Sequence, residues 1–211
     1  MKVHIMKSYL LNTICAGVVA SFAMVASNGY AQTQSAAFTL SSPDLKLGRF
    51  DNTMVLNGFG CKGDNVSPAL TWQNVPVGTK SLALTVHDPD APTGSGFWHW
   101  TVYNMPASTT SLARGAGNAS ARLPMPAIGG QNDFHDTGAT GMNGNYGGPC
   151  PPEGDGDHSY VFTLYALAVD NMHAAAGIPV TGSPALHSFV LNKGIGKGLL
   201  GKASFTALYK R

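Results

Sequence analysis

Residues 144–165, GNYGGPCPPEGDGDHSYVFTLY, decide the fold because they join a stiff loop to a β-strand. Pro149, Pro151 and Pro152 each fix a backbone φ angle and remove a hydrogen-bond donor, while five glycines permit backbone angles that side chains forbid. The pattern predicts a shaped wall whose backbone lies close to another group, and a small ligand is the expected one. The aromatic and β-branched residues that follow predict a strand, which would hold His158 at the edge of this wall.

Short apolar or alternating runs recur along the rest of the chain, separated by clusters of Gly, Pro, Asn and Asp. This spacing predicts a mainly β fold with antiparallel strands. Residues 112–148 show little periodicity, and an irregular segment of that length is usually functional or mobile. Strands are expected at residues 37–40, 70–72, 81–88, 99–104, 159–169 and 203–209.

Two short helices are expected in the last third of the chain, at residues 173–176 and 184–200. Glycines at the end of the second segment would close it. The apolar positions expected to pack this second helix against the fold are Leu186, Phe189, Val190 and Ile195.

Residues 1–31 are predicted to be a secretory signal peptide. Two lysines precede an apolar run over residues 10–26, and small residues two positions apart come before a cleavage point after Ala31. A retained membrane anchor is the alternative, although the run is short and polar residues interrupt it. Cleavage would leave residues 32–211 as a single domain in the periplasm or outside the cell.

The charge balance argues against nucleic acid as a partner. The chain has 211 residues with 13 Lys and Arg and 11 Asp and Glu. The leader holds two of the basic residues and none of the acidic ones, so the mature chain has 13 − 2 = 11 basic and 11 acidic residues. With neutral histidines its net charge is zero, and a polyanion would find no general attraction.

Cys61 and Cys150 are the two cysteines of the predicted mature chain. In an oxidising compartment a disulfide between them is expected, and it would tie the loop near residue 60 to the proline-rich loop. Two buried free thiols are the alternative. Cysteines so far apart do not form a zinc motif.

A second informative stretch covers residues 82–104, LALTVHDPDAPTGSGFWHWTVYN. Asp88 ends the first strand, where its carboxylate can be partly buried and accept a hydrogen bond from a histidine. Asp90 is expected to cap its own turn. Alternation along the next strand places His99 on the face opposite the two neighbouring tryptophans. Asp88, His99 and His158 would therefore meet at one mouth of a β-sandwich, although a core imidazole bonded to backbone is the alternative for each histidine alone.

The DPDAP segment, the HW strand and the GPCPPEGDGDHSYVFTLY segment together resemble the two signature regions of the phosphatidylethanolamine-binding protein family, also called Raf kinase inhibitor-like proteins. The upstream GCKGDNVSPALTWQNVP segment is similar to the bacterial YbhB/YbcL branch. The resemblance runs from about residue 38 to the C-terminus. It implies a Greek-key antiparallel β-sandwich with a small anion-binding cavity at one end.

The resemblance also implies which side chains line the cavity. Where the family commonly has arginine in its second signature, this chain has Ser159, which puts in doubt any ion pair made by that arginine and leaves Asp90 to find another partner. The expected ligand-binding residues are Asp88, Phe97, His99, Pro151, His158 and Tyr160.

The function implied is binding of a small anion, such as phosphate or a phosphorylated head group, with modulation of a protein partner in the manner of a kinase inhibitor. No cofactor, metal or catalytic residue is expected, and membrane contact is expected at most through lipid head groups. A hydrolase using Asp88, His99 and His158, with or without a metal, is the alternative. A secreted interaction module with an unused cavity is a third reading. Oligomeric state is left open, with a dimer among the options.

Overall fold

The computed structural model describes residues 36–118 and 123–211. Ten antiparallel strands lie within these residues. They form a sheet of five strands, a sheet of three and a ribbon of two. The mainly β, antiparallel prediction is confirmed. The strands are β1 Thr39–Ser41, β2 Asn57–Gly58, β3 Cys61–Lys62, β4 Leu70–Gln73, β5 Ser81–Asp88, β6 Phe97–Pro106, β7 Ser111–Leu112, β8 Ile128–Gly129, β9 His158–Leu167 and β10 Leu199–Tyr209.

The larger sheet has the order β10-β9-β5-β6-β8, and the smaller has the order β1-β4-β7. Side chains of the smaller sheet alternate between solvent and core, so Leu40 and Trp72 point inward and their neighbours outward. They join Leu84, Trp100 and Phe162 of the larger sheet in one apolar cluster. The main core therefore lies between the two sheets.

Strand β5 is buried along almost its whole length because helices cover the second face of the larger sheet. Helix α1 spans Met172–Ala176 and is capped by the Asn171 side chain, and α2 spans Pro184–Phe189 and is capped by Ser183. None of the helices within the described residues has the length and apolar character needed to cross a bilayer.

The expected helix over residues 184–200 is not one regular α-helix. After α2 the chain continues as a π-helical turn, Val190–Gly194, and a 3-10 turn, Gly196–Gly198, before β10 begins. Val190 is buried as expected, but Phe189 is 63% exposed and Leu186 is 36% exposed. Ile195, which follows the π-helical turn, also packs against the apolar cluster under the larger sheet, so the expected packing holds for Val190 and Ile195 and is wrong for Leu186 and Phe189.

Strand pairing brings the two signature segments together at one end of the strands of the larger sheet. Strand β5 pairs with β6 so that Asp88 lies opposite Phe97, and it pairs with β9 so that His87 lies opposite Val161. The end of β5 and the starts of β6 and β9 therefore meet. His158, the first residue of β9, comes to the same edge as Asp88.

Cys61 of β3 and Cys150 of the proline-rich loop form a disulfide across 89 positions. The bond joins the β2–β3 ribbon to the loop that precedes β9, as the sequence predicted. The predicted signal peptide lies outside the described residues and stays a prediction.

Candidate functional site

A cavity of about 280 Å³ opens at the sheet edge where β5 ends and β6 and β9 begin. This volume is near the lower end for small-molecule pockets. All six side chains expected from the sequence line it: Asp88, Phe97, His99, Pro151, His158 and Tyr160. Their neighbours in the wall include Leu56, Phe59, Asp133, Phe134, Cys150 and Pro152.

Asp88 organises the polar end of the cavity while being only 2% exposed. Its Oδ1 accepts hydrogen bonds from the backbone N–H groups of Asp90, at 2.9 Å, and Ala91, at 3.1 Å. Its Oδ2 accepts one from Nδ1 of His158 at 2.8 Å. A buried carboxylate with three donors is well compensated, so Asp88 fixes both the turn and the imidazole.

The prediction that Asp90 caps its own turn is wrong. Asp88 fills that role, and Oδ2 of Asp90 instead accepts a hydrogen bond from the backbone N–H of Ser159 at 2.7 Å. This contact crosses from the β5 turn to the start of β9. The donor is a backbone group, so the contact does not depend on the side chain at position 159.

His158 lies between two carboxylates and is 4% exposed. Nδ1 donates to Asp88, and Nε2 donates to Oδ2 of Asp155 at 3.3 Å. Burial is the largest single influence and lowers the pKa of His158, but the hydrogen bonds and charges of Asp88 and Asp155 together outweigh it and raise the pKa above its ordinary value. The imidazolium form is therefore favoured at this position.

His99 differs from His158 in that its surroundings lower its pKa and favour the neutral ring. Its Nδ1 donates to the backbone carbonyl of Gly147 at 2.9 Å, and its ring packs against those of Phe97, Phe134 and Tyr160. Burial in these surroundings lowers the pKa of His99 to about 4, more than the Gly147 carbonyl and the charge of Asp88 raise it. The ring is neutral at pH 7 with its proton on Nδ1, so its Nε2 is an acceptor.

Tyr160 contributes a buried hydroxyl that lies near the Asp88 carboxylate but has no hydrogen bond of ordinary geometry to a described residue. Burial, and then the negative charge of Asp88, raise the pKa of Tyr160, so the phenol keeps its proton. An unpaired buried hydroxyl costs free energy unless a ligand or water pairs with it. Tyr160 lines the cavity, although its hydroxyl oxygen itself has almost no exposed surface.

Two glycines of the proline-rich loop, Gly147 and Gly148, serve packing within the protein. A Cβ on Gly147 would lie 2.2 Å from the Phe134 ring, and one on Gly148 would lie 2.1 Å from the carbonyl oxygen of Met54. The close backbone approach that the sequence predicted is thus made to other protein segments, where a ligand was expected. The carbonyl of Gly147 reaches His99 as a result, which sets the tautomer of that ring.

The residues that sequence reasoning missed include Asp155, which contacts His158 without lining the cavity, and two lining residues, Asp133 and Phe134. Asp155 lies between two glycines and three positions before His158, a spacing that favours a local contact with the ring. Asp133 and Phe134 belong to the irregular stretch between residues 112 and 148, where only the lack of periodicity signalled a functional segment. Asp133 Oδ2 accepts from the Trp98 backbone N–H at 2.7 Å, and burial raises the pKa of Asp133.

The arrangement suits hydrogen bonding to a small polar group at one end and apolar contact at the other. The polar end offers the cation of His158, the acceptor nitrogen of His99 and the hydroxyl of Tyr160. The apolar end consists of aromatic rings, with Phe97 and Phe134 4.7 Å apart between ring centres. Within residues 36–118 and 123–211, no three His, Cys, Asp or Glu side chains are placed to hold one metal ion.

Comparison with known proteins agrees with this architecture. Residues 46–210 match the family model described as phosphatidylethanolamine-binding protein. The UPF0098 protein YbcL of Escherichia coli K12 is 43% identical over 191 residues, which cover 89% of this chain and 91% of YbcL. The UPF0098 protein YbhB of the same organism is 40% identical over 174 residues, covering 81% of this chain and 98% of YbhB.

The crystal structure of E. coli YbcL, described as a new member of the mammalian PEBP family, superimposes on this fold with a TM-score of 0.71. The superposition covers 83% of this chain and 99% of that one, at 43% sequence identity. The resemblance carried by the two signature segments is thereby confirmed, and so is the bacterial branch.

Proposed function

The chain belongs to the phosphatidylethanolamine-binding protein family, and from this premise we propose that it binds a small anion in the cavity at the strand ends. The expected ligand is phosphate or a phosphorylated head group. The observation that carries the proposal is the buried ring of His158, whose two nitrogens lie within hydrogen-bond distance of two carboxylates. Asp88 holds it through Nδ1, and its Nε2 already donates to a carboxylate.

Asp155 supports this proposal because its carboxylate is an example of the kind of group to which Nε2 of His158 can donate. Its side chain is 43% exposed, and it lies on a loop where Gly154 and Gly156 have open space around them. An anionic ligand would take the place of this carboxylate at Nε2. The hydroxyl of Tyr160, which lacks a partner among the described residues, would add a second contact.

Replacing His158 with Ala should remove small-anion binding. The affinity for inorganic phosphate is expected to fall on the order of tenfold or more, because a charge-assisted hydrogen bond is lost. Unfolding free energy should fall by less than about 2 kcal/mol, since Asp88 keeps its two backbone donors. Isothermal titration calorimetry with phosphate and urea unfolding measure the two effects.

The matched control is His135→Ala, which removes a histidine that pairs with Asp136 and does not line the cavity. Its phosphate affinity should equal that of the unaltered protein. A folded His158→Ala variant that binds phosphate with unchanged affinity contradicts the assignment of this cavity.

Replacing Asp155 with Asn should strengthen anion binding. The change removes the carboxylate that competes with the ligand at Nε2 of His158, and phosphate affinity is expected to rise about threefold to tenfold. Asp157→Asn is the control, because it removes the same charge from the same loop at a side chain that pairs with Arg49. Equal gains in the two variants would show a general charge effect and would contradict the role given to Asp155.

The hydrolase alternative is separated from binding by the fate of the ligand. Incubation with a phosphate monoester should return the ester intact, whereas release of inorganic phosphate that depends on His158 would favour hydrolysis. No serine lines the cavity among the residues that the structure describes.

We also propose that the protein works outside the cytoplasm. The disulfide between Cys61 and Cys150 supports this location, because such bonds persist in oxidising compartments. A protein partner that reads the ligand-bound state, in the manner of a kinase inhibitor, belongs to the same proposal. Membrane contact would occur only through head groups that enter the cavity.

A further inference from the structure

We propose that His99 makes the cavity select anions that carry an acidic proton, such as the hydrogen phosphate group, over anions of similar shape that carry none, such as sulfate. The inference rests on the proposed anion-binding function and adds a rule for which anion is accepted. His99 would act as the residue that determines specificity, by accepting a hydrogen bond from the ligand.

The contact with Gly147 determines which ring nitrogen of His99 is a hydrogen-bond donor and which is an acceptor. A backbone carbonyl can only accept, so the Nδ1 atom 2.9 Å from it carries a proton. In a neutral imidazole the other nitrogen then has a lone pair and no hydrogen. Nε2 makes no hydrogen bond to the described protein, and the ring lines the cavity. An oxygen without a hydrogen that faced this nitrogen would meet lone pair against lone pair.

The Gly147 contact is itself held in place by the fold. The backbone N–H of Gly147 donates to the His99 carbonyl at 2.9 Å, so the two segments are joined by a backbone bond as well as by the ring. The Asn132 side chain also donates to the His99 carbonyl, at 3.2 Å. The ring cannot rotate to present a donor without giving up the bond to Gly147.

The charges around the cavity favour the same selection. The titratable groups that line the cavity together with His99 are His158, Asp88, Asp133 and Tyr160, and His87 also lies close enough to act on the ring. Asp88 and His158 neutralise one another, and Asp133 adds a further acidic group. A singly charged ligand that gives a proton to Nε2 of His99 suits these surroundings better than a dianion.

Phosphate and sulfate provide the first test. Near pH 5.5 inorganic phosphate is largely a monoanion with an acidic hydroxyl, since its second pKa lies above this pH, whereas sulfate has no proton to donate. Calorimetric titration of the unaltered protein should give an affinity for inorganic phosphate about tenfold or more above that for sulfate, because an unsatisfied polar contact costs about 1 to 3 kcal/mol.

Phosphate and sulfate also differ in total charge near pH 5.5, so a second test compares two phosphate esters of equal charge. Below about pH 6 methyl phosphate and dimethyl phosphate are both monoanions, and only the first keeps a P–OH group. Methyl phosphate should bind at least about fivefold more tightly. This comparison uses the unaltered protein, so it does not depend on the folding of any variant.

The variant His99→Gln completes the experiment. Its side-chain amide can rotate to donate or accept, so the ratio of phosphate to sulfate affinity should narrow to within about threefold. Equal binding of phosphate and sulfate by the unaltered protein, or a preference that persists in His99→Gln, would overturn the inference while leaving the anion site in place. Binding of neither anion would overturn the proposed function and this inference with it.

Discussion

An Asp88→Asn variant is expected to lose on the order of 10- to 100-fold in phosphate affinity. The Asn side-chain oxygen can still accept from the turn, but its amide group would meet Nδ1 of His158 with a donor. That nitrogen must then give up its proton, and the imidazole becomes neutral. The ligand would face an uncharged donor where the unaltered protein offers a buried cation.

The same variant should change how binding depends on pH. In the unaltered protein the pKa of His158 is raised, so anion affinity and the stability contributed by the pair are complete below the unfolded-state pKa of histidine. Both are lost as the pH rises through the higher folded-state pKa. Without the carboxylate the folded-state pKa drops, and the loss should begin at lower pH. NMR titration of the His158 ring and calorimetry at several pH values measure both effects.

Asp90→Asn is the matched control, because it removes one charge two positions away while an amide oxygen can still accept from Ser159. Its phosphate affinity and its His158 titration should stay within about twofold and within about 0.3 of a pH unit, respectively, of the unaltered protein. If the His158 ring titrates at the same pH in Asp88→Asn as in the unaltered protein, Asp88 is not what holds His158 in its charged form.

Local patterns predicted the central strands well. Strand β5 was expected at residues 81–88 and has those bounds, because an apolar β-branched run ends at a proline-rich turn. Strand β6 was expected at residues 99–104 and extends over Phe97–Pro106. Pairing with β5 extends the strand at both ends, to Phe97 and to Pro106, beyond the residues that composition alone assigns to it.

The pocket was predictable only as far as the signature segments reach. Asp133 and Phe134 come from an irregular stretch, and long-range bonds place them there: the Asp133 backbone N–H donates to the Trp98 carbonyl at 2.9 Å, and Asn132 bonds to His99. Such bonds do not produce a periodic pattern of apolar and polar residues in the sequence. The tautomer of His99 has the same origin, since it is set by a carbonyl from a segment 48 positions away.

Removal of the disulfide should cause the largest loss of stability. A Cys61→Ala/Cys150→Ala variant is expected to unfold about 2 to 5 kcal/mol more easily, because the bond closes a long loop, with 89 positions between its ends, and restricts the unfolded chain. The loss should be seen as a lower urea midpoint. Thiol reduction of the unaltered protein should lower the midpoint by a similar amount and should leave the variant unchanged.

The bond should also affect the ligand, because it fixes one wall of the cavity. Cys150 lines that wall, and Phe59, another lining residue, lies two positions before Cys61. Phosphate affinity in the folded variant should fall only about twofold to fivefold, since the polar contacts at Asp88 and His158 do not depend on the bond. A variant that loses less than about 1 kcal/mol of unfolding free energy would contradict the stabilising role assigned to this disulfide. A loss of affinity as large as that of Asp88→Asn would mean that the aromatic wall, rather than the His158 cation, dominates binding.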